Sequence, residues 1–128
     1  MRRPPIRDVR VVVPARDEEQ TLGACLSALT DAMDALERAD NGSGAQVRIR
    51  TVLVLDTCRD KSARIASDAA ARDARIHVIE RTDGSVGVAR RDGVRVALSL
   101  EAPHGAPALD TCATWIASTD ADSMVPTD

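Results

Sequence analysis

The sequence predicts an α/β fold built on a parallel sheet with helices on its faces, and three observations carry that prediction. Short runs rich in valine and leucine alternate with longer stretches whose apolar residues recur every three to four positions, in the order β-α-β-α-β-α-β. The runs are apolar on successive residues rather than alternate ones, as in strands buried on both faces. Polar segments follow each run, and right-handed crossovers place all four strand C-termini along one edge.

Val9 to Val13 forms the first run, ended by Pro14, and reads as a central parallel strand. Asp17 suits a helix N-cap, and Gln20 three residues later completes a pattern like the capping box. Leu22, Cys25, Leu26, Leu29, Met33 and Leu36 then recur at helical spacing, predicting a helix to about Ala39. The polar cluster Asp40-Asn41-Gly42-Ser43-Gly44 ends it. The second strand lies within Val47 to Leu55, densest at Val52-Leu53-Val54-Leu55, and leaves Asp56 at its carboxyl end. A second helix is expected from about Asp60 to Arg72, with Ile65, Ala66 and Ala69 inward. Ile76 to Ile79 is a third short strand. After Gly84 to Gly87, a third helix carries Val86, Ala89, Val94, Ala97 and Leu100 on one face. The segment from Ala102 to Asp110, with Pro103, Gly105 and Pro107, reads as a loop, and Cys112 to Ala117 as the fourth strand.

The 128 residues suffice for one core, so 1–128 is read as a single domain. With one Trp, no Tyr and no Phe, that core must be aliphatic. The same scarcity, with a formal charge of -3, argues against nucleic-acid partners, which need aromatic platforms or a basic surface. No apolar region follows the basic N-terminus, and no apolar stretch approaches the roughly 20 residues that span a bilayer. Cys25, Cys58 and Cys112 are far apart and odd in number, without metal-ligand spacing. The expectation is a reduced, cytoplasmic protein, membrane-peripheral in a longer form, with Cys25 and Cys112 as small core residues.

Chemistry concentrates where the fourth run breaks into Ser118-Thr119-Asp120-Ala121-Asp122. A strand that delivers two carboxylates at its C-terminal end suits a hard divalent cation, Mg²⁺ or Mn²⁺, and open α/β sheets hold their ligands at that edge. Three further segments meet there: 14–19 with Asp17, Glu18 and Glu19; Asp56-Thr57-Cys58-Arg59-Asp60; and 84–91 with Arg90 and Arg91. Acids, a glycine-containing helix start and two arginines together suit a metal-bound nucleotide diphosphate. Singly, each has a plain structural explanation. Asp17 is a cap, Asp56 a turn former, Arg90 and Arg91 a solvated helix face, and Asp120-Ala121-Asp122 a surface turn. Gly84 to Gly87 lacks the dinucleotide fingerprint, and neither His77 nor His104 reads as a ligand.

In their order and spacing the segments resemble family-2 glycosyltransferases of the GT-A fold. Residues 11 to 22 are similar to the family's opening strand and helix, and 52 to 56 to its second strand with an acidic end. Gly87-Val88-Ala89-Arg90-Arg91-Asp92-Gly93 is similar to its Gly-x-Ala-Arg-Asn-x-Gly helix, and 118 to 122 to its Asp-x-Asp motif. The resemblance implies a Rossmann-like three-layer sandwich with a mainly parallel sheet, truncated after the Asp-x-Asp strand. It also implies a donor site for a nucleoside-diphosphate sugar, by default a uridine diphosphate sugar, used in inverting transfer. Pro14, Ala15, Asp17 and Glu18 then match the nucleoside loop, and Asp56 the base contact. Arg90 falls near the base or diphosphate, Asp120 at the ribose or metal, and Asp122 as the metal ligand.

The chain departs from the family pattern in two places. Asp56-Thr57-Cys58-Arg59-Asp60 lacks the second acid of the usual Asp-Asp-Gly-Ser-Thr-Asp, and Arg91 stands where the family has Asn. The family's acceptor half and base follow the Asp-x-Asp motif, and no acid here matches that base. A non-catalytic nucleotide-binding or assembly module derived from this fold is therefore the rival reading. An uncovered sheet edge would favour homo-oligomers. A nucleotidyltransferase fits less well, because acids stand where those enzymes carry a Gly-rich, basic loop after the first strand.

Overall fold

The computed structural model describes residues 7–38, 47–82, 85–100 and 114–119. The expected helix end at Ala39, the cluster 40–44, Gly84, the loop 102–110, Cys112, His104, and both Asp120 and Asp122 lie outside the described residues. Within them the order is β1 (Asp8–Ala15), α1 (Leu22–Arg38), β2 (Arg48–Asp56), α2 (Ser62–Arg72), β3 (Ile76–Arg81), α3 (Val86–Ser99) and β4 (Thr114–Ser118). The strands form one sheet in the order β3-β2-β1-β4, and every pairing is parallel.

Strand parity divides the core. Val11, Val13, Ala15, Leu53 and Leu55 point to the face covered by α1 and α2, where Leu22, Cys25, Leu26, Leu29, Met33, Ala66 and Ala69 pack on them. Val12, Val52 and Val54 point to the other face, against Ala89 and Ala97 of α3. The result is the three-layer α/β/α sandwich expected from residues apolar on both strand faces. Cys25 is a buried core residue, as expected, and neither it nor Cys58 is in a disulfide.

Three local expectations need correction. Pro14 does not end β1, which continues to Ala15 and pairs Pro14 with Val54. Pro14 has the parity of Val12, whose carbonyl accepts the Thr119 N–H on the β4 side (3.1 Å). Its missing N–H therefore costs the β1–β2 ladder nothing. Asp17 is not the N-cap of α1. The Glu18 carbonyl accepts the Thr21 and Leu22 N–H groups (3.1 and 2.8 Å) and starts the helix there. Val86, placed on the inward face of α3, is 55% exposed because it opens the helix, ahead of the turns that lie on the sheet.

The inward stripe of α3 runs instead through Ala89, Gly93 and Ala97, four residues apart and all small. A Cβ built at Gly93 would overlap Val12 Cγ1 and come within 2.9 Å of Val54 Cγ2. The glycine is what lets the helix lie this close to β1 and β2. No described helix is long and apolar enough to cross a membrane.

Candidate functional site

Because all strands run one way, Ala15, Asp56, Arg81 and Ser118 end along the same edge of the sheet. The β1–α1 and β2–α2 loops lie side by side there and are tied to each other. The Arg59 N–H donates to Asp17 Oδ1 (2.7 Å), Glu18 N–H to Ser62 Oγ (2.9 Å) and Glu19 N–H to Asp60 Oδ2 (3.1 Å). Asp60 also accepts the Ser62 N–H (2.9 Å), taking up an orphan donor at the start of α2. These bonds, those from Ser62 foremost, hold the Asp60 carboxyl below its ordinary range. The thiol of Cys58 donates to the Ala15 carbonyl (3.5 Å). Burial, reinforced by the charges of Asp17, Asp60 and Asp56, pushes that thiol up, so it serves as a protonated donor.

Two backbone conformations mark the same loops. Asp17 (φ 49°) and Thr57 (φ 53°) are the non-glycine residues with positive φ among those described. Aspartate tolerates that region through local hydrogen bonding, whereas a β-branched threonine there is strained, by roughly 1–3 kcal/mol. Thr57 is held in place from both sides. Its N–H donates to the Arg81 carbonyl (2.8 Å) and its hydroxyl to Asp56 Oδ1 (3.0 Å).

The sequence-derived residues divide as follows. Pro14, Ala15, Asp17, Glu18 and Asp56 come together at the edge, with Asp56 buried to 3% exposure at the end of β2. Arg90 is exposed, in the second turn of α3. Asp120 and Asp122, the expected metal pair, lie outside the described residues just beyond β4. Among the described residues no group of three or more His, Cys, Asp or Glu side chains is arranged to hold a metal ion. Asp17, Glu19 and Asp60 each accept a backbone N–H group of the neighbouring loop. The clefts found elsewhere, about 460 Å³ between α1 and α2 and about 650 Å³ along the open edge of β3, include none of these loop residues.

Sequence reasoning missed the inter-loop roles of Ser62 and Asp60. Their signal was present, an acid two residues ahead of the first helical residue, but spacing could not disclose that both also hold the preceding loop. Asp17→Ala is expected to release the Arg59 N–H and raise its hydrogen-exchange rate about tenfold. A charge-assisted bond to a backbone amide contributes roughly 1.5–3 kcal/mol, reduced here by exposure. Exchange at Arg59 as slow as in the parent would show that the loops do not depend on this bond.

A doubly wound sheet with polar loops gathered at its strand C-termini defines a class of α/β proteins that hold ligands at that edge. Within that class the chain belongs to glycosyl transferase family 2, whose family model matches residues 10–128. It is 34% identical over 89 residues to the uncharacterized glycosyltransferase EpsJ of Bacillus subtilis (strain 168), a match over 70% of this chain and 22% of that one. Among solved structures it is similar to S. aureus TarS 1-349, with a TM-score of 0.62 at 16% identity, over 94% of this chain and 29% of that one. The same protein in complex with UDP gives a TM-score of 0.60 at 18% identity, over the same shares. These likenesses show the GT-A type of fold. The chain spans under a third of the length of each of these proteins.

Proposed function

We propose that this chain is the donor-binding part of a glycosyltransferase that transfers sugar from a nucleoside diphosphate with inversion. The observation that carries the reading is the paired loops at the sheet edge, formed from Asp17, Glu18 and Asp56 in a chain that belongs to glycosyl transferase family 2. The UDP complex of TarS, a protein of the same fold, supports uridine diphosphate as the nucleotide to try first.

In this reading Pro14, Ala15, Asp17 and Glu18 shape the wall against which the nucleoside lies. Asp56 presents its carboxylate to the base from the end of β2, with Oδ1 oriented by the Thr57 hydroxyl. Arg90 offers a guanidinium to the diphosphate from the first turns of α3. Asp120 and Asp122 follow β4 by two and four residues and would hold Mg²⁺ or Mn²⁺, their carboxylates matching a hard cation. The bound ion would neutralise charge developing on the leaving diphosphate. Inversion requires a general base, which would come from outside the residues assigned here.

Asp56→Asn is expected to weaken uridine diphosphate binding about tenfold, because an amide presents an N–H₂ where the base donates. That corresponds to roughly 1.4 kcal/mol. Calorimetry on parent and variant measures it, and equal affinities would remove Asp56 from the base contact.

A further inference from the structure

The sheet face that α3 covers is divided along the strands. Toward the C-terminal edge it is apolar, with Val12, Val52, Val54, Ile79 and Ile116 packed around the helix. Toward the N-terminal edge the same parity brings Asp8 and Arg10 of β1 beside Arg48 and Arg50 of β2. His77 of β3 stands on this face too, in register with Val52.

Arg10 is only 2% exposed, an unusual place for a guanidinium. The cluster holds one buried carboxylate, Asp8, with Arg48 Nη2 3.0 Å from Oδ2 and Arg10 Nη2 3.5 Å from Oδ1. Arg10 Nε, Arg10 Nη1 and Arg48 Nη1 are buried with no hydrogen-bond partner among the described residues. Arg50 makes no ion pair with a described residue. Asp73, whose carboxylate feels the Arg50 charge, is paired with Arg75, which also reaches Asp34 and Glu37 of α1 on the opposite face. Among the described residues, three guanidiniums face one ion-paired carboxylate, with Asp73 acting on Arg50 only beyond ion-pair distance. This leaves a net positive charge and three unmet donors in one place. Each buried donor without a partner costs about 1–3 kcal/mol. Burial, with Arg50 and Arg48 beside it, makes the Arg10 charge harder to keep, although Asp8 opposes this. Burial and then the charges of Arg50 and Arg10 likewise lower His77.

We propose that Arg10, Arg48 and Arg50, with His77 beside them, form a binding site for a compact doubly charged oxyanion such as phosphate. Planar guanidinium forks match tetrahedral and carboxylate oxygens, and a doubly charged anion offsets the positive excess. The burial of Arg10 favours a small free ion, because a nucleic-acid backbone or membrane surface could not reach it without displacing what covers it. The site lies at the opposite edge from the donor loops, roughly 16 Å along β1 from Ala15, at about 3.3 Å per residue. It does not depend on the donor reading.

The test is titration of inorganic phosphate into the chain in a phosphate-free buffer, followed by calorimetry and by the NMR ring signals of His77. The signals are assigned by removing the other histidine with His104→Gln. The expected result is saturable binding with a Kd below about 1 mM, with His77 signals that move along the same curve. Arg50→Gln, at a half-buried position, is expected to weaken binding at least tenfold without changing uridine diphosphate affinity. Arg10→Met serves as a second variant where it folds. Unmoved His77 signals at 20-fold that concentration would overturn the proposal. So would equal shifts from chloride at matched ionic strength, or unaltered binding in Arg50→Gln.

Discussion

Gly93→Ala is expected to lower the stability of this chain by about 2 kcal/mol, although alanine is the better helix former. Away from contacts, Gly→Ala within a helix stabilises by about 0.5–1 kcal/mol. At Gly93 the added methyl would overlap Val12 Cγ1 and lie 2.9 Å from Val54 Cγ2. Both valines are completely buried, in the two central strands, and β-branching leaves them little rotamer freedom. The helix must therefore lift from the sheet, and overpacking of this kind costs roughly 1–3 kcal/mol, occasionally more. Gly23 is the internal control. It lies in the first turn of α1, where an added methyl would meet nothing within 4 Å, so Gly23→Ala is expected to stabilise by about 0.5 kcal/mol. Urea unfolding of the two variants should move in opposite directions. Equal shifts would mean that α3 does not rest on β1 and β2 through this glycine.

The second large effect concerns the proposed metal. Asp122→Ala is expected to remove the dependence of nucleotide binding on Mn²⁺ and weaken binding in its presence about 100-fold, or roughly 2.7 kcal/mol. A cation of this hardness takes oxygen ligands, and loss of one of two carboxylates leaves the diphosphate charge poorly matched. Asp68→Ala, exposed on α2 and remote from the loops, is the control and should bind as the parent does. Unchanged Mn²⁺ dependence in Asp122→Ala would remove Asp122 from the metal.

The fold was legible because its signals are local and repeated. Runs such as Val52-Leu53-Val54-Leu55 have no polar face, so they could only be strands covered on both sides, and helices between them fix a parallel sheet. What stayed hidden depends on contact between segments distant in sequence. Asp17 has the spacing of a cap, yet its carboxylate is used 42 residues away at Arg59. Val86 matches the periodicity of α3 but precedes the part of the helix that touches the sheet. Arg10 and Arg48 give no signal at all, since arginines within strands ordinarily point to solvent. Only the register of β1 against β2 reveals that they share one face. That the loops carrying Asp17, Glu18 and Asp56 meet at the strand C-termini was legible in the order of the strands, whereas the bonds that join the two loops were not.

The central claim is that these residues bind the nucleotide of a sugar donor through a divalent ion. Calorimetric titration of uridine and guanosine diphosphates into the chain, with and without Mn²⁺, tests it most directly. The account predicts saturable binding of uridine diphosphate that requires Mn²⁺, with guanosine diphosphate at least tenfold weaker. Absence of binding by either nucleotide, with Mn²⁺ present and the chain folded, would contradict it.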